Sequence, residues 1–335
     1  MPPADPGSSP GGAVGDGPGG TTGDETAAEA RTALRRAAEL LGRRARPDVP
    51  LGPLTTYRVG GPASLFVRID DEDDLAAVAA TVRATAVPTL VVGKGSNLLV
   101  ADRGFAGLAL QLGEGFATIE VDGSTVQVGA AAALPVVARR TAAAGLTGFE
   151  WAVGVPGSIG GAVRMNAGGH GSDLAASLVG VRVLDLRSGE DGAVPAAALD
   201  LSYRHSNVAP HQLVLAAELR LAAGDRATSE AEIAEIVRWR REHQPGGPNA
   251  GSVFTNPPGD SAGRLIDAAG LKGARIGTAE VSTKHANFIQ ADEGGSADDV
   301  FAVMALVRTT VRDRFGVDLQ PETRLVGFPA EPGAR

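Results

Sequence analysis

A chain of 335 residues exceeds the size at which one hydrophobic core usually stops growing, so two or more domains are expected. Its 43% hydrophobic and 21% charged residues are ordinary for a soluble globular protein, and a formal net charge of −8 repels a polyanion on average, which argues against nucleic-acid binding. The absence of cysteine excludes disulfides, thiolate zinc sites and cysteine nucleophiles, and fits a cytoplasmic setting.

Residues 1–24 are rich in Pro, Gly, Ser and Asp with almost nothing to bury, and are expected to be a disordered tail without the basic and apolar regions of a secretory signal. A helix is predicted over 25–41, "ETAAEARTALRRAAELL", ending at Gly42. In 71–87, "DEDDLAAVAATVRATAV", acidic residues open a helix whose apolar stripe is Leu75, Val78, Ala79 and Val82. A buried strand, "PTLVVG", follows at 88–93, and "ATIEVDGSTVQVGA" (117–130) alternates about Asp122-Gly123 as a hairpin does. A further helix, "LPVVARRTAAAGL", stops at Gly145. The longest apolar run, 141–163, carries Glu150 and many glycines and cannot span a membrane, so no membrane association is expected. "LVGVRVLDLRSGE" and "HQLVLAAELRLAAG" read as strands. The pattern changes near Ala222–Ala227, where a domain boundary is expected, and "SEAEIAEIVRWRREHQ" then forms a charged helix. A short helix "AGRLIDAAG" precedes a long one with the stripe Val300, Val303, Met304, Val307, Val311 and Phe315. Strands and helices mix without regular βαβ alternation, so the fold class is α+β.

Two stretches point to chemistry. In "VVGKGSNLLV" (91–100) a buried strand breaks for Gly93, Lys94, Gly95, Ser96 and Asn97 and at once re-enters the core, a loop that can turn several N–H groups toward one anion. It matches neither the dinucleotide fingerprint nor the P-loop. Residues 154–169 hold six glycines, which would weaken any regular element, since each costs roughly 1 kcal/mol relative to Ala in a helix. The two segments together suggest a diphosphate-bearing cofactor lying along exposed backbone. The simpler alternative is a glycine-rich packing turn. Five histidines without ligand spacing give no reason to propose a metal.

The runs "TTYRVGGPA" (55–63), "GKGSNLL" (93–99), "GFEWAVGVPGSIGGAVRMNAG" (148–168), "SYRHS" (202–206), "NAGSVFTNP" (249–257), "LKGARIGTAEVSTKHANFI" (271–289) and "PETRLVG" (321–327) resemble, in order, the UDP-N-acetylenolpyruvoylglucosamine reductase family. The resemblance implies an FAD-binding domain of the vanillyl-alcohol oxidase (PCMH) type over 43–222, with a small N-terminal subdomain 43–70 joined by 321–328. It also implies a C-terminal α+β substrate-binding domain over 223–320, in the branch of the family without an extra substrate-covering loop. The implied reaction is NADPH-dependent reduction, through FAD, of enolpyruvyl UDP-N-acetylglucosamine to UDP-N-acetylmuramate, a step of peptidoglycan synthesis. A monomer acting on small molecules is expected.

The family's catalytic residues fall on Arg204, Ser252 and Glu322. FAD contacts are expected from Tyr57, Arg58, Gly93, Lys94, Gly95, Ser96, Asn97, Leu98, Pro156, Gly157, Ser158, Ile159, Gly160, Gly161, Asn166, Ala167, Gly168 and Arg324. Substrate contacts are expected from Tyr203, Arg240, His243, Asn249, Asn256, Lys272 and His285, with Lys284 a weaker candidate. Position 255 is Thr where many relatives carry Lys or Arg, which leaves open what holds the substrate there. Hydride arriving at the terminal carbon of an enolpyruvyl group leaves an enolate beside a carboxylate, for which the charged fork of Arg204 is suited. Ser252 would protonate the second carbon. Glu322 either orients or helps protonate, in the latter role as a neutral acid kept so by burial. Trp151 and Trp239 are read as packing residues. The competing functions are another FAD-dependent oxidase on the same scaffold and a non-enzymatic nucleotide-binding module.

Overall fold

The computed structural model describes residues 23–329. The expected disordered tail therefore lies outside the described residues, except that helix α1 (Gly23–Leu41) takes in Gly23 and Asp24. Strands β1 (Arg46–Pro50) and β2 (Pro62–Ile69) are followed by α2 (Glu72–Thr85), β3 (Thr89–Val91), β4 (Leu98–Val100) and β5 (Phe105–Leu112). Asp71 caps α2 by accepting the Asp74 N–H at 2.8 Å, as its acidic start demands. The four-stranded sheet runs β1-β2-β5-β3, with β2, β5 and β3 parallel. Alternation on β2 sends Leu65, Val67 and Ile69 toward α1 and α2, and Phe66 to a second core with Leu51, Val92 and Val100. The segment expected as a subdomain over 43–70 thus shares its sheet with 89–112.

Next come β6 (Ile119–Asp122), β7 (Thr125–Gly129), α3 (Leu134–Ala143), β8 (Leu146–Thr147), α4 (Ile159–Met165), β9 (Gly168–Gly169), β10 (Ser172–Asp173), β11 (Leu178–Asp185), β12 (Asp191–Pro195), β13 (Gln212–Arg220) and β14 (Ala222–Ala223). An antiparallel five-stranded sheet, β12-β11-β13-β7-β6, packs on α3 and α4. The β6–β7 hairpin turns on Gly123 at φ +57°, as the Asp-Gly pair predicts. Helix α4 forms even though the glycines were expected to weaken any regular element. Ser158 caps it, and Gly160 packs so closely that a Cβ there would stand 3.1 Å from the Ala130 Cβ. Tertiary packing offsets the poor intrinsic propensity.

Helix α5 (Arg226–His243) was expected to open the second unit, but it packs on the first. Ile233 and Ile236 join the core of Phe149 and Trp151, and Ser229 donates to the buried Glu150 carboxylate at 2.5 Å. The remaining elements are α6 (Ala262–Ala268), β15 (Arg275–Ile276), β16 (Ala279–Val281), β17 (Ile289–Ala291), α7 (Ala297–Phe315) and β18 (Arg324–Val326). The three-stranded sheet β15-β16-β17 packs with α6 and the predicted α7 stripe, except that Phe315 at its end is exposed. Asp102, from the loop after β4, accepts the N–H of Ala297 at 3.0 Å at the start of α7 and so ties the two units. The last strand, β18, returns to pair parallel with β4.

Candidate active site

Between these units lies a cavity of about 720 Å³, lined from Gly93–Leu98, from Gly154–Ser158, by Arg204 and Ser252, and by Glu322 and Arg324. The first loop is built to present donors. Its carbonyls are tied to protein: Gly93 O to Gln111 Nε2 at 3.1 Å, Gly95 O to the Thr56 N–H at 3.2 Å, and Asn97 O to the Arg324 N–H at 3.0 Å. None of the five N–H groups from Gly93 to Asn97 has an acceptor among the described residues. Gly95 is required here, at φ +62° with the Leu54 carbonyl 2.2 Å from where a Cβ would stand.

The second glycine segment plays a different part. Its N–H groups at Ile159 and Gly160 are spent on Ala132 and Ala130, so it is stitched to the strand end beneath it. It approaches the first loop closely: a Cβ on Gly93 would meet Ser158 Oγ at 2.7 Å, and one on Gly157 would meet Ser96 Oγ at 3.4 Å. One loop donates; the other makes room.

At the far end, residues 202–205 form a two-residue turn closed by reciprocal Ser202–His205 bonds of 3.2 and 3.1 Å. It holds Arg204 at φ +57° with its Nη2 donating to Gly168 O at 3.2 Å. Arg204 Nε lies 2.7 Å from Glu322 Oε1 but off the N–H axis, so the pair is held by charge more than by an aligned hydrogen bond. Burial pushes the Glu322 carboxyl above its ordinary range, and Arg204 only partly offsets it. Ser252 sits after Gly251 (φ +75°), and its hydroxyl has no hydrogen-bond partner among the described residues. The next residues are riveted: Phe254 exchanges two bonds with the buried Asn287 side chain at 3.0 and 2.8 Å, and the Glu322 N–H donates to Val253 O at 2.8 Å.

Of the expected cofactor residues, Gly93–Leu98, Pro156, Gly157, Ser158, Gly161, Ala167, Gly168 and Arg324 line the cavity, and Gly160 lines a smaller one of about 210 Å³ beside it. The others are placed elsewhere. Tyr57 is wholly buried in the core of the second unit, burial pushing its phenol above its ordinary value, and Arg58 is exposed. Ile159 is core, and Asn166 holds Asp173, Ala175 and Ser202 together.

Of the expected substrate residues, Arg240 alone lines the cavity, where its Nη1 donates to the Gly154 carbonyl. Tyr203 is exposed beneath the Arg204 guanidinium, 5.3 Å from ring centroid to Cζ. His243 stacks on Trp239 at 4.6 Å. Asn249 closes its own turn onto Gly247 and Gly251, Asn256 accepts the Ala262 N–H at the start of α6, Lys272 pairs with Asp267, Lys284 donates to Arg241 O, and His285 packs edge-on against Phe288. Backbone groups, a carboxylate and aromatic rings of the protein itself already engage these polar side chains. Trp239 corrects the expectation of a packing residue, being 42% exposed on the cavity wall, whereas Trp151 is core. Sequence reasoning missed Arg164, which lines the cavity, and Asn287 behind it.

A model of an FAD binding domain matches residues 63–190, and one described as UDP-N-acetylenolpyruvoylglucosamine reductase, C-terminal domain, matches 242–326. The reductase of Anaeromyxobacter sp. (strain Fw109-5) is 45% identical over 290 residues, which span 85% of this chain and 89% of the relative. The chain belongs to the UDP-N-acetylenolpyruvoylglucosamine reductase family. The family member from Rubrobacter xylanophilus is 42% identical over 85% of this chain and 96% of its own. The crystal structure of the family's enzyme from Thermus caldophilus superposes with a TM-score of 0.74 at 36% identity, covering 84% of this chain and 99% of that one. The fold is accordingly that of an FAD-binding domain joined to the family's C-terminal domain. Its residues fit the cofactor, for a run of unpaired N–H groups and a glycine cradle suit a diphosphate. Among the described residues no group of acidic, histidine or cysteine side chains could hold a metal, and no helix is long and apolar enough to cross a membrane.

Proposed function

We propose that this chain is an FAD-dependent oxidoreductase that uses NADPH to reduce UDP-N-acetyl-3-O-(1-carboxyvinyl)-glucosamine to UDP-N-acetylmuramate, in the cytoplasm and as a monomer, for peptidoglycan synthesis. The observation that carries this is the meeting, in one cavity, of the unpaired N–H run with Arg204, Ser252 and Glu322. Residues from 43 through α5 would carry the cofactor, and the rest, to 320, the substrate. When bound, FAD supplies to the terminal carbon of the enolpyruvyl group the hydride it has drawn from NADPH.

Arg204 sets a permanently charged fork where the substrate carboxylate gains charge. Ser252 holds, on a hydroxyl free of other partners, the proton that the second carbon takes. Glu322, biased by burial toward its neutral acid, sits against Arg204 without forming the well-aligned bond that would immobilise it. Arg164, Arg240, Arg324 and Lys94 gather positive charge for the diphosphates, and burial lowers the pKa of Arg240 and of Arg164. Replacing Ser252 with Ala tests the assignment by separating the half-reactions. NADPH should still bleach the flavin, while reoxidation by the enolpyruvyl substrate falls by about 10²–10⁴-fold. Undiminished turnover would refute the role.

A further inference from the structure

Glu322 is gripped at both ends of its backbone by opposite halves of the site. Its N–H donates to Val253 O at 2.8 Å, one residue from Ser252. Its carbonyl accepts from Asn97 Nδ2 at 3.0 Å, across 225 positions of sequence. The Asn97 carbonyl in turn accepts the Arg324 N–H at 3.0 Å, and the parallel pairing of β4 with β18 begins at the next position, Leu98 with Arg324. Asn97 thus brackets residues 322–324 with two bonds while its own N–H ends the unpaired run that faces the cavity.

We infer that Asn97 is a positioning residue, whose side-chain amide couples the cofactor-facing loop to the Arg204–Glu322 pair and does not itself grip the cofactor. The inference rests on the activity proposed above. A half-buried carbonyl deprived of its donor moves to find another. The side chain attached to it moves as well, and a displacement on the order of 1 Å in a reacting group costs about 10²-fold in rate. The amide of Asn97 therefore fixes the backbone that carries the acid against the cofactor-facing loop.

The test uses Asn97→Ala, with Asn97→Leu, closer in volume and also without a donor, as the second variant if the first does not fold. FAD affinity of the apoprotein, read by fluorescence quenching, and flavin reduction by NADPH should each stay within about three-fold of wild type. Reoxidation of reduced flavin by the enolpyruvyl substrate should slow by about 10–100-fold. In a Glu322→Gln background the same change should slow reoxidation by no more than about three-fold further, because the residue that Asn97 serves has already been disabled. Loss of FAD affinity, equal losses in both half-reactions, or full additivity with Glu322→Gln would overturn the assignment while leaving the activity standing. A wild-type protein whose reduced flavin the substrate cannot reoxidise would refute the activity, and the assignment with it.

Discussion

Arg204 occupies the left-handed region at φ +57°, a conformation that costs a non-glycine residue on the order of 1 kcal/mol. The turn that imposes it aims the guanidinium at both Gly168 O and Glu322. Glu322 carries the clearest pH signature. Because burial raises its pKa by more than Arg204 lowers it, the folded protein favours the neutral acid more than the unfolded chain does. The stabilisation this gives is complete below the carboxyl's ordinary value and is lost as pH rises through the raised folded value. Denaturant midpoints of wild type and Glu322→Gln, compared across that interval without substrate, should shift in favour of the Gln variant as pH rises. A difference that does not change with pH would contradict the burial argument.

The Gly93–Asn97 loop owes its shape to one glycine more than to the rest. Gly95→Ala brings a Cβ to 2.2 Å from the Leu54 carbonyl at φ +62°, whereas Gly123→Ala, at φ +57°, meets nothing within 4 Å. The second change should cost about 1 kcal/mol and leave flavin binding intact. The first should cost more and release the flavin, as thermal melting and the flavin-to-protein absorbance ratio would show; equal effects would mean that the loop tolerates distortion. Elements with strong periodicity were legible in the sequence: the buried stripe of α2, the β6–β7 hairpin, and all of the α7 stripe except its last residue. Helix α4 was not, since its stability comes from Ala130 and the Ser158 cap and not from its own composition. That Arg204, Ser252 and Glu322, the trio proposed as catalytic, belong to one site was legible only through motif resemblance, and the Gly93–Asn97 loop through the break in a hydrophobic run. Arg164 and Asn287 carried no spacing signal; Asn287 acts on Phe254, 33 positions away, and only the fold brings them together. Asn249 and Asn256 looked like ligand donors because sequence does not show which side chains turns and helix starts have already claimed.

Across the whole molecule, a chain of net charge −8 concentrates five cations, Lys94, Arg164, Arg204, Arg240 and Arg324, against one carboxyl, Glu322, on the wall of one cavity. Such a cavity draws in anionic nucleotides through a surface that otherwise repels them. Raising ionic strength from about 0.01 to 0.15 M shortens the screening length from about 30 to 8 Å, so kcat/KM for the nucleotide sugar should fall several-fold while kcat changes little. A salt-independent kcat/KM would count against charge as the guide. The packing of α5 on the first unit, and the bond from the α7 N-terminus to Asp102, fix the walls of this cavity relative to each other. The proposed reaction is tested most directly by the visible spectrum of the purified protein under anaerobic conditions. The expected result is flavin bands that NADPH bleaches and that enolpyruvyl UDP-N-acetylglucosamine then restores without oxygen. Colourless protein, or reduced flavin that only oxygen can reoxidise, would contradict it.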